Sequence, residues 1–352
     1  MSEGPPNLGE RGSDAARLLV AAARRHAAAG RQLAIPEALR LSEQERRIVA
    51  GLADALGRAV EDELRTALAV RAAAAGREAL AAALSSAHVA IAGPLVDRSG
   101  FWRDGDLLAV LLRRVEEHRL NRAAASADDP LPALIRDGDE EIATEAMAVL
   151  IARSRRLDRI EEPLVTRTEL PADIQHRLVW TVAAGLRLYM TGQQALPADL
   201  ADAWLAEEAA NFLAHYDEGD TLDARCARLA VLLDAAGRLD DDFLIHALGG
   251  GSFALFLAAI ALRARLAASD AWTILSDTDG RGAPLLLRAA GVGRHASAAL
   301  LLALAREESA LAPQLDLFDL VDPDTARAAL RLWRTDPAYR AALARMLDRE
   351  AA

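Results

Sequence analysis

Lysine is absent from the sequence, and all 41 of its basic residues are arginines. This absence excludes a phosphate-binding loop of the Walker type, which ends in Gly-Lys-Ser or Gly-Lys-Thr. Cysteine occurs once, at Cys226, so the chain cannot form an internal disulfide. No pair of Cys and His residues has the spacing of a zinc site. We therefore expect a protein without a metal or any other cofactor.

Aromatic residues are also few, at 4% of the chain, whereas hydrophobic residues make up 52%. The apolar content is almost all Ala, Leu, Val and Ile. Ala and Leu rank highest in helix propensity, whereas the β-branched and aromatic residues that favour strands are scarce. The composition therefore predicts an all-α protein.

Long apolar runs are missing as well. The segment 253–262 stops at Arg263 after about half of the roughly 18 residues that a membrane span needs. The polar N-terminus, MSEGPPNLGERGSD, lacks the apolar core of a signal peptide. The net charge of −11 opposes a general electrostatic attraction to nucleic acid or to an anionic membrane. We expect a cytoplasmic protein with a disordered tail over residues 1–13.

Apolar positions recur at helical spacing along the chain, and short stretches with Pro, Gly or Asp separate one predicted helix from the next. Ser42 and Glu45 form a capping-box pattern that predicts the start of one helix. A second helix is predicted from Val60, with Glu61 in its first turn, where the helix dipole favours acidic side chains. Another long helix is predicted to begin near Pro171.

The segment 136–153, RDGDEEIATEAMAVLIAR, has a Gly-Asp signal at Gly138 and Asp139 that predicts a helix start. Acidic residues follow in the first turn, and Ile142, Ala146, Val149 and Leu150 lie on one face. This pattern is typical of the first helix of a HEAT-type repeat, and similar units recur at loose spacings. Such recurrence predicts an α-solenoid, a HEAT-like array of antiparallel helix pairs. A compact multi-helix bundle is the alternative.

The same pattern predicts four regions along the chain. They are a disordered tail (1–13), an N-terminal helical region (14–125), central HEAT-like repeats (126–216) and a C-terminal helical region (217–352).

Two stretches carry a family resemblance. Residues 241–292, from DDFLIHALGGG to LLLRAAGV, combine a glycine-ended helix, an apolar helix and an Asp-Gly turn. They resemble the C-terminal signature of a bacterial, mainly alphaproteobacterial, family known as domain of unknown function 2336. Residues 134–160 resemble the HEAT-like repeats of the same family. The chain departs from the signature at Ser252, where Asp is expected, and in the spacing of Phe253 and Phe256. The resemblance implies fold and lineage, but no reaction and no catalytic residues.

The glycine-rich segment Gly249–Ser252 has two interpretations: an anion-binding helix start, or a turn between two helices. A helix is predicted before it, whereas a Walker loop needs a strand. We therefore predict a turn in which Ser252 caps the next helix and Phe253 and Phe256 enter the core. The segment 291–300, GVGRHASAAL, lacks the strand and the third glycine of a dinucleotide-binding fingerprint.

A phosphotransfer role is one alternative hypothesis. His176, followed by Arg177 near the start of a predicted helix, resembles the phospho-acceptor helix of some sensor kinases, and His118 does so more weakly. No ATP-binding half follows, because strands and a Gly-rich lid are missing from the sequence. A surface histidine is the simpler interpretation of His176.

Several adjacent acidic residues are candidates for metal or acid–base sites. Neighbouring residues point about 100° apart on a helix, so their carboxylates are not expected to converge. We therefore expect them to lie in first turns or on solvated faces. The groups are Glu140-Glu141, Glu161-Glu162, Glu207-Glu208 and Asp240-Asp241-Asp242.

Aromatic residues are the remaining candidates for a binding surface, since Trp and Tyr are over-represented in interface hot spots. Trp102 lies at a predicted helix start, and Trp204 and Tyr216 flank one predicted helix. Core filling is the default role for such residues. The five Trp residues are too scattered to indicate a groove that binds DNA.

These observations predict a non-catalytic protein that binds another protein through stacked helices. Two alternatives stay open: a phosphosignalling partner, which accepts phosphate or docks a response regulator, and a HEAT-like protein that binds nucleic acid. We expect no membrane partner, and the net charge makes nucleic acid the weaker alternative. A homodimer through the apolar C-terminal segment, residues 341–352, is also considered.

Overall fold

The computed structural model describes residues 43–86, 90–123, 128–156, 165, 168–277, 279–305 and 308–350. The predicted tail over residues 1–13, Ser42 and the pair Glu161-Glu162 lie outside the described residues. Every regular element within those ranges is a helix, and no strand occurs there. The all-α prediction is confirmed, whereas the solenoid arrangement stays a prediction.

Seventeen α-helices follow one another along the described part of the chain. They are α1 (Glu43–Ala74), α2 (Glu78–Ser85), α3 (Gly93–Ser99), α4 (Gly105–Ala123), α5 (Leu131–Leu134), α6 (Glu140–Arg156), α7 (Ala172–Gly192), α8 (Ala198–Ala214), α9 (Leu222–Ala235), α10 (Asp241–Gly249), α11 (Phe253–Ala264), α12 (Ala268–Leu275), α13 (Gly282–Ala289), α14 (Arg294–Leu304), α15 (Leu311–Leu320), α16 (Pro323–Ala329) and α17 (Pro337–Glu350). Among them, none is both long and apolar enough to cross a bilayer.

The chain forms two compact units, each built from separate stretches of sequence. Unit A contains Glu116–Ile151 and the residues from Leu222 onwards, and unit B contains the described residues up to Val115 together with Ala152–Thr221. The four regions predicted from the sequence stay predictions.

Helix α1 corrects one prediction, because a single helix covers the stretch that the sequence divides at Val60. Nothing in the sequence breaks the helix there except Gly57, and a glycine inside a helix is tolerated at a cost of about 1 kcal/mol. Gly57 has a packing role, since a Cβ on it would lie 3.1 Å from the ring of Trp102. The apolar side chains of α1 form a continuous buried stripe, which includes Leu56, Val60 and Leu64.

Glu61 is a buried loop anchor and not an exposed first-turn residue. Its carboxylate accepts hydrogen bonds from the backbone N–H groups of Ile91, Ala92 and Gly93, with N···O distances of 2.6, 3.0 and 3.3 Å. Arg65, one turn later, pairs with it and donates to the carbonyls of Leu84 and Ser86. One glutamate and one arginine of α1 thus fasten the end of α2 and the start of α3.

Helix α7 packs against this region through a close backbone approach. A Cβ on Gly185 would lie 2.9 Å from the Cβ of Ala92, so only a glycine lets the two segments come this close. The helix begins directly after Pro171, as predicted. Leu178, Val182 and Leu186 on its inner face are buried in the same hydrophobic core as the α1 stripe.

Unit A is organised around α11, in which ten of the twelve residues are buried. Phe253 and Phe256 are fully buried, as predicted, and Trp272 of α12 meets the Phe253 ring edge to face at a centroid distance of 5.9 Å. An aromatic pair of this geometry adds about 0.5–1.5 kcal/mol beyond area burial. The longest apolar run of the sequence is therefore the core helix of this unit.

A second carboxylate–arginine pair fastens unit A. Asp241 of α10 pairs with Arg263 of α11 at 2.7 Å and accepts the Gly293 N–H at 2.8 Å. Arg263 also donates to the carbonyls of Ala290 and Gly291, each at 3.3 Å. Three separate segments are held at one point.

Candidate functional site

The predicted anchors Trp102, Trp204 and Tyr216 all lie in unit B and all have packing roles there. The half-buried Trp102 ring covers Gly57, and Trp204 is 7% exposed within the core. The hydroxyl of Tyr216 donates to the carbonyl of Leu170, just before α7. A partner would have to displace part of the core to reach Trp204, so these three side chains do not together form an exposed binding patch.

His176 lies on the exposed side of α7. Its Nε2 accepts a hydrogen bond from the Nε1–H of Trp180, one turn later, at 3.1 Å. This geometry requires an unprotonated Nε2, and a phosphoryl group placed there would have to replace the indole donor. The other candidate, His118, is half-buried, and burial together with nearby Arg122 lowers its pKa below the usual value.

The arginine beside His176 is already surrounded by carboxylates. Arg177 pairs with Asp104 and lies 3.4 Å from carboxylate oxygens of both Asp106 and Asp173. A phosphoryl group on His176 would gain little from this arginine, and three negative charges surround it. The local field opposes a doubly charged phosphohistidine.

One of the acidic pairs converges, contrary to expectation. Glu207 and Glu208 of α8 both reach Arg71 of α1, at 2.6 and 2.9 Å. The long arginine fork spans the angle between two neighbouring helical residues, and the hydrogen bond from Arg71 lowers the pKa of Glu207. The carboxylates thus share an ion pair. No group of side chains within the described ranges has the composition of a metal site.

The glycine-rich segment forms the predicted turn between α10 and α11, but the predicted cap is wrong. Ser252 makes no capping bond, and its hydroxyl donates to Asp129 at 3.0 Å. The amide oxygen of Asn121 accepts the Phe253 N–H instead, also at 3.0 Å. A Cβ on Gly250 would lie 2.6 Å from the Cα of Asp129. The glycine is needed because another backbone segment packs against the turn, and the Phe253 donor is satisfied within the protein.

An open groove of about 700 Å³ separates α6 from α9 in unit A. The floor is apolar and the rim is charged. The lining residues are Glu140, Glu141, Thr144 and Glu145 of α6, and Ala227, Arg228, Val231 and Leu232 of α9. We call this feature the α6–α9 groove.

Ion pairs define both ends of the α6–α9 groove. Asp137, just before α6, pairs with Arg238, just after α9, at 2.6 Å. In the second turn of α6, Glu145 pairs with Arg225 and Arg228 of α9, at 3.4 and 3.2 Å. The start of α6 therefore lies beside the end of α9. The two helices are antiparallel, and the open section lies between the two sets of ion pairs.

Helix α6 begins as the sequence predicts, because Asp139 caps it by accepting the N–H groups of Glu141 and Ile142. Its inner face carries the buried Ile142, Ala146 and Val149, whereas the predicted Leu150 is only half-buried. One apolar face of the helix is thus buried in unit A.

A second apolar stripe on α6 is exposed. Met147 and Ile151 are 42% and 52% exposed, and they continue the face of Glu140 and Thr144 at intervals of three and four residues. On α9, the groove residue Val231 is 53% exposed. Met147 and Ile151 lie beyond the groove lining, which ends at Glu145 on this helix. Exposed apolar residues that follow one another on one helix face indicate a contact surface more than scattered ones do. Sequence reasoning missed this stripe, although a helical wheel that placed Met147 and Ile151 opposite the core face would have shown it.

Unit B carries a second groove, of about 900 Å³, along α1. Val70 lies in it with 69% of its surface exposed, but the ion pairs of Arg71 with Glu207 and Glu208 occupy part of the lining. The α6–α9 groove is the stronger candidate, because a larger share of its lining is apolar.

The comparisons with known proteins agree with the resemblance seen in the sequence. No curated protein matches the chain, and neither does any solved structure. A model of the family named domain of unknown function 2336, described as an uncharacterised protein conserved in bacteria, matches residues 122–331. This range is more than half of the chain and includes both walls of the α6–α9 groove as well as the core helix α11. The chain belongs to this bacterial family.

Proposed function

We propose that the protein is a non-catalytic, cytoplasmic binding protein whose partner is another protein, held in the α6–α9 groove. The observation that carries the proposal is the exposed apolar floor between two antiparallel helices, with Val231 as its most exposed side chain. Residues of this kind are stabilised when a partner covers them, at about 25 cal/mol per Å² of apolar surface.

The shape of the groove favours a macromolecule over a small molecule. Sites for small ligands enclose most of the ligand and direct a few polar groups inwards. The α6–α9 groove is open along its length, and its carboxylates lie on the rim. A segment of a partner protein can cover the length of such a surface, whereas a small molecule would leave much of it exposed to water.

Photo-cross-linking in the native cell tests this proposal. A photoreactive amino acid replaces Val231 in the groove, and a matched control replaces Leu302 of α14, which is 57% exposed in the same unit and does not line the groove. We expect a discrete protein adduct from position 231 that is lost when Thr144 is replaced by Arg to block the groove. Equal adducts from both positions, or none from position 231, would overturn the proposal.

Phosphosignalling remains a second proposal, because His176 is exposed on a helix as a phospho-acceptor must be. Its test is incubation of the chain with a phosphodonor system and measurement of acid-labile phosphate. Phosphate that disappears in His176→Gln supports this alternative, and absence of labelling removes it.

A further inference from the structure

We infer that the α6–α9 groove binds a basic amphipathic helix of the partner protein. The inference rests on the proposed function and adds to it the chemistry and the conformation of the partner segment.

The charge of the groove is negative. Three of its eight lining residues are glutamates and one is an arginine, Arg228, which already pairs with Glu145. Glu140 and Glu141 are exposed, and neither forms an ion pair with any residue that the structure describes. The whole chain adds to this field with a net charge of −11. A partner with several Lys or Arg residues would therefore be attracted and oriented before contact.

The shape of the groove fits a helix. The two antiparallel helices and the small residue Ala227 leave a groove against which the apolar face of a third helix can pack. The wall residues Glu140–Glu145 and Ala227–Leu232 each cover between one and two turns, about 8 Å at 1.5 Å per residue. Helices that bind in this way use apolar side chains at positions i, i+3, i+4 and i+7.

The order of groups along α6 gives the partner a polarity. Glu140 and Glu141 lie at the start of the helix, and the exposed Met147 and Ile151 lie two to three turns further on. The thioether of Met147 adapts to irregular apolar partners, as methionines do on binding surfaces. The matching segment carries its basic residues towards one end and its larger apolar residues towards the other.

The inference is tested with labelled peptides on the full chain, by fluorescence anisotropy. The basic probe is an amphipathic peptide of about 18 Leu and Lys residues, five helical turns long. An acidic probe has Glu in place of every Lys, and a scrambled probe keeps the basic composition without an apolar face. We expect both to bind at least about tenfold more weakly than the basic helix, and added salt to weaken the basic helix several-fold.

Variants of the protein locate the binding. Glu140→Gln with Glu141→Gln should weaken the basic peptide about three- to tenfold, because rim charges contribute modestly. The matched control, Glu78→Gln, neutralises an exposed first-turn glutamate of α2 that does not line the groove and should change nothing. Val231→Asp should abolish binding, whereas Leu302→Asp should preserve it. All four are surface changes, and far-UV circular dichroism checks that each variant is folded.

The outcomes separate this inference from the proposed function. If the acidic or the scrambled probe binds as tightly as the basic probe, the inference of a basic helix is wrong. It is also wrong if neutralising Glu140 and Glu141 has no effect on binding. If the Val231 cross-link persists in cells while the basic peptide fails to bind, the protein-binding function stands and the basic-helix inference falls. A basic peptide that binds without any groove-dependent cross-link in cells removes the proposed function.

Discussion

The two units of this protein fasten their loops with the same chemical device placed in different surroundings. In unit B, Glu61 and Arg65 belong to one helix, and their side chains are 2% and 5% exposed. In unit A, Asp241 and Arg263 come from two helices, and their side chains are 33% and 16% exposed. The Glu61 carboxylate accepts three backbone N–H groups and the Asp241 carboxylate accepts one, and each arginine donates to two backbone carbonyls.

The difference in burial leads us to expect that the Glu61–Arg65 pair contributes more to stability than the Asp241–Arg263 pair. When a buried pair loses one partner, the remaining charge is neither paired nor hydrated, which lowers the free energy of unfolding by about 3–5 kcal/mol. A pair with access to water lets solvent replace the lost partner, so the cost falls towards that of an exposed ion pair, about 0–1 kcal/mol.

The largest expected effect is that of Glu61→Ala. It removes the acceptor for three backbone N–H groups and leaves Arg65 buried without its carboxylate, so we expect a loss of about 3–5 kcal/mol in the free energy of unfolding. Urea denaturation measures this. Glu63→Ala, at an exposed position of the same helix, is the control and should change stability by less than about 0.5 kcal/mol. Equal effects of the two substitutions would contradict the buried anchor.

Replacing each arginine with lysine sharpens the comparison. Arg65 donates to two carbonyls from different nitrogens, and one ammonium group cannot keep both bonds in the same geometry. We expect Arg65→Lys to cost about 1–3 kcal/mol and Arg263→Lys less than about 1 kcal/mol. Chemical denaturation of both variants under one set of conditions shows which substitution lowers the free energy of unfolding more. A larger loss for Arg263→Lys would contradict burial as the explanation.

Asp241→Asn should have a moderate effect. The amide keeps the shape of the side chain but loses the charge that faces Arg263, so we expect about 1 kcal/mol of destabilisation. Added salt should shrink the difference between this variant and the wild type, because the pair is partly exposed. A cost as large as that of Glu61→Ala would show that the two pairs do not differ in the way that their burial indicates.

The smallest effect is expected at Asp137, at the end of the α6–α9 groove. The Asp139 N–H and the Arg238 guanidinium lower the pKa of Asp137 below its ordinary value. Its ionised form therefore stabilises the folded state above the ordinary Asp pKa, and this contribution is lost as the pH falls through the lowered value. Asp137→Asn should slightly reduce the dependence of folding stability on pH in the acidic range, as measured by thermal denaturation at several acidic pH values. An unchanged profile would mean that the pair contributes nothing.

Much of the local structure could be predicted from residue patterns. The scarcity of strand-forming residues indicates helices throughout, Asp139 and Pro171 mark helix starts, and the apolar run at Phe253 becomes a core helix. The prediction was wrong where two signals competed. At Glu61 the first-turn preference of acidic residues suggested a new helix, but the side chain instead binds the backbone of a loop about thirty residues away.

The candidate site was harder to predict, because a groove depends on two helices far apart in the sequence. The sequence places Thr144 and Val231 on their helices, but it does not indicate that both line the same groove. Trp204 shows the opposite problem, since an aromatic residue that suits an interface lies in the core.

The sequence by itself determined the helical class, the helix starts at Asp139 and Pro171, and the family, since these depend on propensity, capping and residue patterns within short segments. Only the tertiary structure decided which charges are buried and which apolar side chains stay exposed. Glu61 and Glu141 are both glutamates near predicted helix starts, yet one anchors a loop in the core and the other lies on the rim of a groove. That difference comes from which distant segments pack against each helix, and short-range patterns carry no record of it.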